Sequence, residues 1–325
     1  MPAMNNATTF AVVVRSAGGP DVLEYGVLAL APPAAGEVRV RHTAIGINFI
    51  DVYFRSGRYP PPQYPFVPGL EGAGVVEALG DGVTEFAVGD RVAYASRPLG
   101  AYAAARNFPA DRLVRLPAGI ADDVAAASML KGMTSRMLLR RVFRVEAGHV
   151  ILMHAAAGGV GSILVPWARS LGATVIGTVG SDAKAGLARA SGCQHTIVYT
   201  RERFVERVRE LTGGRGVDVV YDSVGKDTFA GSLECLKPMG TLVSFGQSSG
   251  PVAPLDIGEL AKKSLTLSRA SLFEYTAARA DLVASANDLF DVLARGVVPA
   301  QVERRYPLAE AARARADLEA RRTSG

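Results

Sequence analysis

The stretch "HVILMHAAAGGVGSILVPWARSLGATVIGTVG", His149–Gly180, decides the fold. "HVILMH" is a short apolar run of the kind that forms a buried strand, "AAAGGVG" is a turn of small residues, "SILVPWARSLG" is a helix, and "TVIGTVG" is a second strand. Together they make a βαβ unit. Glycines in such a turn let backbone N–H groups approach a pyrophosphate, and the helix that follows presents its positive N-terminal end to it. The residues depart from strict GxGxxG, because Ala156 stands two positions before Gly158. On the motif alone, a phosphate cradle and a merely structural turn are equally good readings. The strand before it and the helix after it favour the cradle. Pro166 falls inside the helix and is expected to kink it.

Downstream, "HTIVY", "DVVYD", "GTLVSFG" and "LTLSR" read as further strands with helical patterns between most of them, which predicts a parallel sheet wrapped by helices. Upstream the texture is different. "EVRVRHTAIGI", "GAGVVEALG", "GDRVAYAS", "GAYAAARNF" and "RLVRLP" are short strands punctuated by Gly and Pro, a β-rich and loop-rich region. "GRYPPPQYPFVPG" cannot hold a central strand or a helix and is expected to be a surface loop. A helix starts near residue 122 with "DDVAAASMLKGMTSRMLLRRVF", and the helical segments "ADLVASANDLFDVLARG" and "LAEAARARADLEARR" are expected to return to the first domain.

Composition narrows the class. At 325 residues and 49% hydrophobic, the chain has length for a core and for two domains. Two cysteines, Cys193 and Cys235, exclude a disulfide framework and a four-cysteine zinc site, and suit a reducing, cytoplasmic setting. The opening residues lack the basic start of a signal peptide, and no apolar run approaches a membrane span. The net charge of +5 is spread rather than clustered. In "RERFVERVRELTGGRG", Phe204, Val208 and Leu211 recur at helical spacing beneath solvated Arg and Glu, an ordinary amphipathic helix rather than a nucleic-acid surface.

The end of the second strand, "TVGSDAK", bears on which dinucleotide would bind. Asp182 is the one acid available to hold a ribose 2′-hydroxyl, and either Ser181 or Asp182 also serves as a helix cap. Ser181 and Lys184 instead offer a hydroxyl and an ammonium to a 2′-phosphate, the reading favoured here.

These residues resemble the zinc-independent quinone oxidoreductases, the zeta-crystallin-like group of the medium-chain dehydrogenase/reductase superfamily. The resemblance runs over nearly the whole chain and rests on the order and spacing of "AIGINFIDVYFRSGRYPPP", "PGLEGAGVVEALG", "VGDRVAY", "LKGMTS", "HAAAGGVG", "IGTVGS", "VYDSVG" and "VSFGQSSG". It implies an α/β protein with two domains. Residues 1–132 and 273–325 would form a GroES-like β-rich catalytic domain. Residues 133–272 would form a Rossmann-like, doubly wound, parallel six-stranded domain that binds NADPH.

The resemblance makes absences informative. Zinc-dependent relatives hold their catalytic metal with a cysteine, a histidine and an acid of the first domain, whereas this chain has no cysteine before Cys193 and carries Leu70 where "GHE" would place histidine. No zinc is expected, and none of the four histidines, 42, 149, 154 and 195, is expected to bind metal. What remains is direct hydride transfer from NADPH to an electrophilic acceptor, a small quinone, or alternatively an α,β-unsaturated carbonyl such as an alkenal, enone or enoyl thioester. An NADPH-binding structural or RNA-binding role with little turnover also stays open, on basic charge alone.

By the resemblance, Asn48, Asp51 and Tyr53 line the nicotinamide and acceptor cleft, with Tyr59 near its mouth. Asp51 also reads as a helix cap and Tyr53 as a core aromatic. Lys131 and Thr134 would meet the nicotinamide ribose and carboxamide side. The pyrophosphate would lie on Gly158, Gly159 and Val160, the 2′-phosphate near Gly180, Ser181 and Lys184, and the adenosine beside Tyr199. Ser223 would lie near the phosphate-side strand ends, the run Phe245, Gly246, Gln247 and Ser248 under the nicotinamide half, and Ser271, Leu272 and Phe273 near its carboxamide, and Arg321 would reach back from the last helix. Departures from the family pattern are Met137 in place of a cofactor-contacting tyrosine, Pro166 in place of glutamine, and an ending at "RRTSG" without a short apolar strand. A homodimer is expected through the edge strand "LTLSR", unless Lys262 and Lys263 just upstream blunt it.

Overall fold

The computed structural model describes residues 7–323. The first six residues of the opening segment and the last two of "RRTSG" lie outside the described residues, so the expectations made on those ends are only partly covered. The chain divides into two compact units. Within the described residues, one takes in everything up to Lys131 together with Thr276–Ala294 and Ala300–Thr323, and the other takes in Gly132–Tyr275 with Arg295–Pro299.

In the first unit, five antiparallel strands lie in the order Ala105–Pro109, Glu37–Ile45, Glu71–Leu79, Arg91–Ala95 and Val114–Arg115. Alternation sets their faces. Val38 and Val40 are buried while Arg39 and Arg41 turn outward, and Val76, Val92, Phe108 and Leu113 join the same core. A separate hairpin pairs Ala7–Val14 with Leu23–Leu30, the second of which the sequence patterns did not single out. The proline-rich segment forms no strand or helix over its length, but it is not wholly a surface loop. Phe66 pairs with Val14 through both backbone groups and is buried, so the end of the segment is tied into the hairpin. The two C-terminal helices, Arg279–Ala294 and Ala311–Glu319, belong to this unit, and the latter packs on the helix Phe49–Arg55.

The second unit is built on a six-stranded parallel sheet in the order His195–Val198, Thr174–Val179, Val150–Met153, Val217–Asp222, Leu236–Ser244, Thr266–Arg269. In order of appearance these strands lie 3-2-1-4-5-6, the doubly wound arrangement of dinucleotide-binding sheets. Leu152, Ile176, Ile197, Val220 and Leu242, one from each of five strands, form its core, which is why these strands read as continuous apolar runs rather than alternating ones. Pro166 sits inside the helix Gly161–Ser170, as expected from its place in the sequence. Among the described residues no helix is long and apolar enough to cross a membrane.

Candidate functional site

The turn after the first strand of the parallel sheet has no room for a side chain at Gly161 and little at Gly158. A Cβ on Gly161 would lie 2.4 Å from the carbonyl oxygen of Ala156, and one on Gly158 would lie 3.1 Å from that of Ala155. Gly158 N–H donates to Ala155, while Ser162 N–H turns back to Gly158 and Leu164 N–H to Val160. The N–H groups of Gly159, Val160 and Gly161 come before that ladder, at the positive end of the helix. The geometry fits a diphosphate.

At the end of the second strand, Gly180 lies against Tyr199 and Ser181 meets the Lys184 backbone. A Cβ on Gly180 would stand 2.7 Å from the Tyr199 hydroxyl, so only glycine lets that ring lie against the strand end. Ser181 is the N-cap of the helix Asp182–Ala190 and accepts from the Lys184 N–H at 3.3 Å. Asp182 is engaged by an arginine. Its two oxygens accept from Arg201 at 2.5 and 2.6 Å, an exposed bidentate pair. Arg201 thus brings a guanidinium to this corner, a group the motif patterns missed because it lies beyond the third strand.

Ser223 and the Phe245–Ser248 run also meet. Ser248 N–H donates to Ser223 O at 3.1 Å, Phe245 N–H donates to Asp222 O at 2.9 Å, and a Cβ on Gly246 would press within 2.6 Å of Ser223 O. Ser271 precedes the short helix Leu272–Tyr275, in which Leu272 is buried and Phe273 half-buried. Each of the six strands is therefore followed at its carboxyl end by a candidate residue: Gly158, Gly180, Tyr199, Ser223, Phe245 and Ser271. Ligands of open α/β sheets bind at that edge. Beneath it, buried His154 bonds to the Thr178 and Ser232 hydroxyls, both at 2.9 Å, and Ser232 also donates to Asp222 at 3.3 Å. Burial pushes the imidazole below its usual pKa, a structural network rather than a ligand set.

In the first unit, Asn48 precedes the helix Phe49–Arg55 and is nearly buried. Tyr53 is buried, its ring edge-on to Tyr59 at 5.0 Å and to Phe49 at 5.5 Å, with the Arg58 guanidinium 5.2 Å from its centroid. Asp51 departs from its expected place on a cleft. Its side chain has no exposed surface, accepts from the Asn48 N–H at 3.1 Å, and pairs with buried Arg315 at 2.7 Å. It is a cap and an ion-pair partner, and Asp51 lies inward because the C-terminal helix supplies the counter-charge. The helix Asp122–Met137 carries half-buried Lys131 in this unit and half-buried Thr134 in the other, and Met137 is core. Arg321 closes the last helix in the left-handed region, φ +58°, its N–H bonded to Leu318.

A further residue emerges that no pattern had selected for function. Glu71 opens the strand Glu71–Leu79 and is fully buried. It accepts from the Asn48 side-chain amide at 2.5 Å and from the Leu130 backbone N–H at 2.6 Å. Burial pushes its carboxyl up to about 7, against the pull of Lys131. The signal for it was a lone acid in a run of small apolar residues, "GLEGAGVV". Among the described residues, no group of three His, Cys, Asp or Glu is placed to hold a metal ion.

Comparison with known proteins agrees with this architecture. Residues 34–118 match the family model "Alcohol dehydrogenase GroES-like domain", and residues 159–287 match "Zinc-binding dehydrogenase". A quinone oxidoreductase of Pseudomonas aeruginosa is 52% identical over 95% of each chain. A 2-haloacrylate reductase of a Burkholderia species is 46% identical over 97% of each. The crystal structure of Escherichia coli quinone oxidoreductase complexed with NADPH superposes with a TM-score of 0.95 at 47% identity, covering 98% of both chains. The chain belongs to the quinone oxidoreductase family of the medium-chain dehydrogenase/reductase superfamily, and it is an oxidoreductase.

Proposed function

We propose that this chain reduces small quinones with NADPH, without zinc. The observation that carries the reading is the row of candidate residues at the carboxyl ends of all six parallel strands, with the Ser181 hydroxyl bonded to the Lys184 backbone at the end of the second and Arg201 paired to the neighbouring Asp182, which supports a 2′-phosphate there. The Escherichia coli relative's NADPH complex supports the same cofactor. When bound, the reduced nicotinamide supplies a hydride. The chain's own part is to hold the diphosphate on the Gly158–Gly161 turn and the 2′-phosphate on charged side chains, and to offer donors from Asn48, Tyr53 and Tyr59 to the oxygen on which charge develops. Asp51 is left out of that set. Lys131 and Thr134 serve the nicotinamide ribose side, with Phe245–Ser248 and Ser271–Phe273 on the nicotinamide half and Ser223 near the phosphate-side strand ends.

The donor chemistry supports the zinc-independent reading. No thiol precedes Cys193, and Leu70 places fully buried hydrocarbon where a histidine ligand would stand. A quinone is electrophilic without a Lewis acid. The 2-haloacrylate reductase relative supports a second reading, reduction of an activated C=C bond by the same cofactor. Turnover with benzoquinone, an enone and a haloacrylate under matched NADPH separates the two.

The same reading includes a homodimer through the edge strand Thr266–Arg269, where Leu267 is exposed. The lysines beside it do not argue against pairing: Lys262 is bonded to Glu259 at 2.7 Å, and Lys263 donates to the Glu234 and Leu236 carbonyls. A cytoplasmic setting, in which Cys193 and Cys235 remain thiols, belongs to the proposal.

A further inference from the structure

Asp222 ends the strand Val217–Asp222 with a fully buried side chain. Its Oδ1 accepts from the N–H groups of Val224 and Gly225 at 2.8 and 3.0 Å, so the carboxylate folds forward over the turn that follows the strand. The Thr228 hydroxyl lies 2.9 and 2.8 Å from the two oxygens and donates to the carboxylate, and the Ser232 hydroxyl lies 3.3 Å from Oδ2. Thr228 caps the helix Phe229–Cys235 and Ser232 lies in its first turn, so one side chain joins the turn to that helix.

The same turn seats the loop that follows the next strand. Ser223 O accepts from the Ser248 N–H at 3.1 Å, and Val224 O accepts from the Ser249 N–H at 2.9 Å and from the Ser249 hydroxyl at 2.8 Å. Ser249 Oγ in return accepts from the Asp227 N–H at 3.1 Å, and the Lys226 N–H donates to Gly250 O at 3.2 Å. The packing has no slack. A Cβ on Gly246 would lie 2.6 Å from Ser223 O, and one on Gly225 would lie 2.8 Å from Gly250 O. Residues 245–250 therefore rest on carbonyls whose direction the Asp222 side chain fixes.

We propose that Asp222 is a positioning residue for the nicotinamide half of the cofactor, holding the turn 223–225 so that the run 245–248 is ordered before NADPH arrives. A loop already seated adds no ordering cost to binding, whereas a loop released from its turn is ordered at the expense of affinity. The corner at the end of the second strand has its own contacts, Tyr199 against Gly180 and Ser181 at the Lys184 N–H. This inference rests on the proposed function in giving the run 245–248 to the nicotinamide half and that corner to the adenosine half.

The task needs an acceptor rather than a charge. In Asp222→Asn the side-chain carbonyl takes the two backbone N–H groups and the NH2 faces the Thr228 and Ser232 oxygens. Those oxygens accept it, because the Thr228 hydroxyl also reaches Gly225 O at 3.3 Å and the Ser232 hydroxyl reaches Thr228 O at 2.8 Å. Asp222→Ala instead leaves both N–H groups of the turn without their acceptor.

The test compares NADPH with 2′,5′-ADP, which carries the adenosine half alone, by calorimetry on the full chain. Asp222→Ala is expected to weaken NADPH about tenfold and 2′,5′-ADP less than about twofold, and Asp222→Asn to restore the wild-type ratio. A merely structural role would weaken both ligands alike. That result, or an Asp222→Ala protein with the wild-type ratio, overturns the proposal. Should Asp222→Ala not fold, Ser249→Ala decides, since it removes the hydroxyl that bridges Val224 O and the Asp227 N–H. It is expected to weaken NADPH about threefold with 2′,5′-ADP unmoved, and an unmoved ratio overturns the proposal. A wild-type chain that binds neither ligand overturns the functional reading and this inference with it. A wild type that binds NADPH, beside variants with an unmoved ratio, overturns this inference alone.

Discussion

Asp51 and Arg315 form an ion pair at 2.7 Å with side chains 0% and 2% exposed, joining the helix Phe49–Arg55 to the helix Ala311–Glu319 across the whole length of the chain. Arg315 also donates to the Asn48 carbonyl at 2.7 Å, and one turn on, Arg55 holds Glu319 with two bonds of 2.6 and 2.9 Å. Burial raises the Asp51 carboxyl against the pull of Arg315, so the acid depends on its partner for its charge. Removing one member leaves the other buried and uncompensated. Arg315→Met is expected to lower stability by about 3–5 kcal/mol, and the double variant Asp51→Asn, Arg315→Met to regain part of that loss. Denaturant midpoints check it, and a loss below about 1 kcal/mol would show the pair to be dispensable.

The corner built by Ser181, Lys184 and Arg201 predicts cofactor preference. NADPH is expected to bind at least about tenfold more tightly than NADH, with Lys184→Ala narrowing the gap by roughly 1–2 kcal/mol. Arg201→Ala should narrow it too, although part of its charge is already spent on Asp182. Fluorescence titration of both cofactors decides this, and equal affinities would remove the 2′-phosphate from the account.

His42 predicts an acid-labile contact. Its Nδ1 lies 2.7 Å from the Ala103 carbonyl and its Nε2 lies 2.8 Å from the Tyr94 hydroxyl, so Nδ1 donates and Nε2 accepts. Desolvation depresses its pKa from 6.5 to about 4. The unfolded chain then binds the proton first, and the stability from this group is complete above pH 6.5 and lost as pH falls toward 4. At most about 3 kcal/mol is at stake. Glu71 acts with the opposite sign, since its raised pKa makes its contribution to stability fall as pH rises from 4.5 to about 7. Midpoints of His42→Gln and Glu71→Gln across that range should lose these two slopes separately. A wild-type slope surviving in both variants would assign it to other groups.

The edge strand predicts assembly. Light scattering is expected to report about twice the 34.1 kDa chain mass, and Leu267→Asp, which sets like charges facing across a two-fold axis, to shift the protein toward monomer. A wild-type monomer at micromolar concentration would refute the dimer and leave the cofactor site untouched.

What was legible in the sequence follows from how locally each feature is determined. The inner strands of the parallel sheet announced themselves because both faces of each are covered, which turns "VILM" and "VDVVYD" into continuous apolar runs, whereas the edge strand Thr266–Arg269 has no buried residue. The glycine turn was legible because its steric demand falls within eight residues. The strand Leu23–Leu30 was not, since it has no fully buried residue and is defined by its pairing with Ala7–Val14. Asp51 read as a cleft residue because its counter-ion, Arg315, lies at the far end of the chain, where only tertiary packing brings it near. Glu71 was visible inside "GLEG", but its partners Asn48 and Leu130 come from two other elements, so its role was not.

The measurement that most directly tests the central claim is NADPH oxidation driven by benzoquinone in exhaustively chelated protein, with metal content determined on the same sample. The account predicts full quinone-dependent turnover with no stoichiometric zinc. Turnover that disappears on chelation and returns with added zinc, or metal-free protein that binds NADPH yet reduces no quinone, would contradict it.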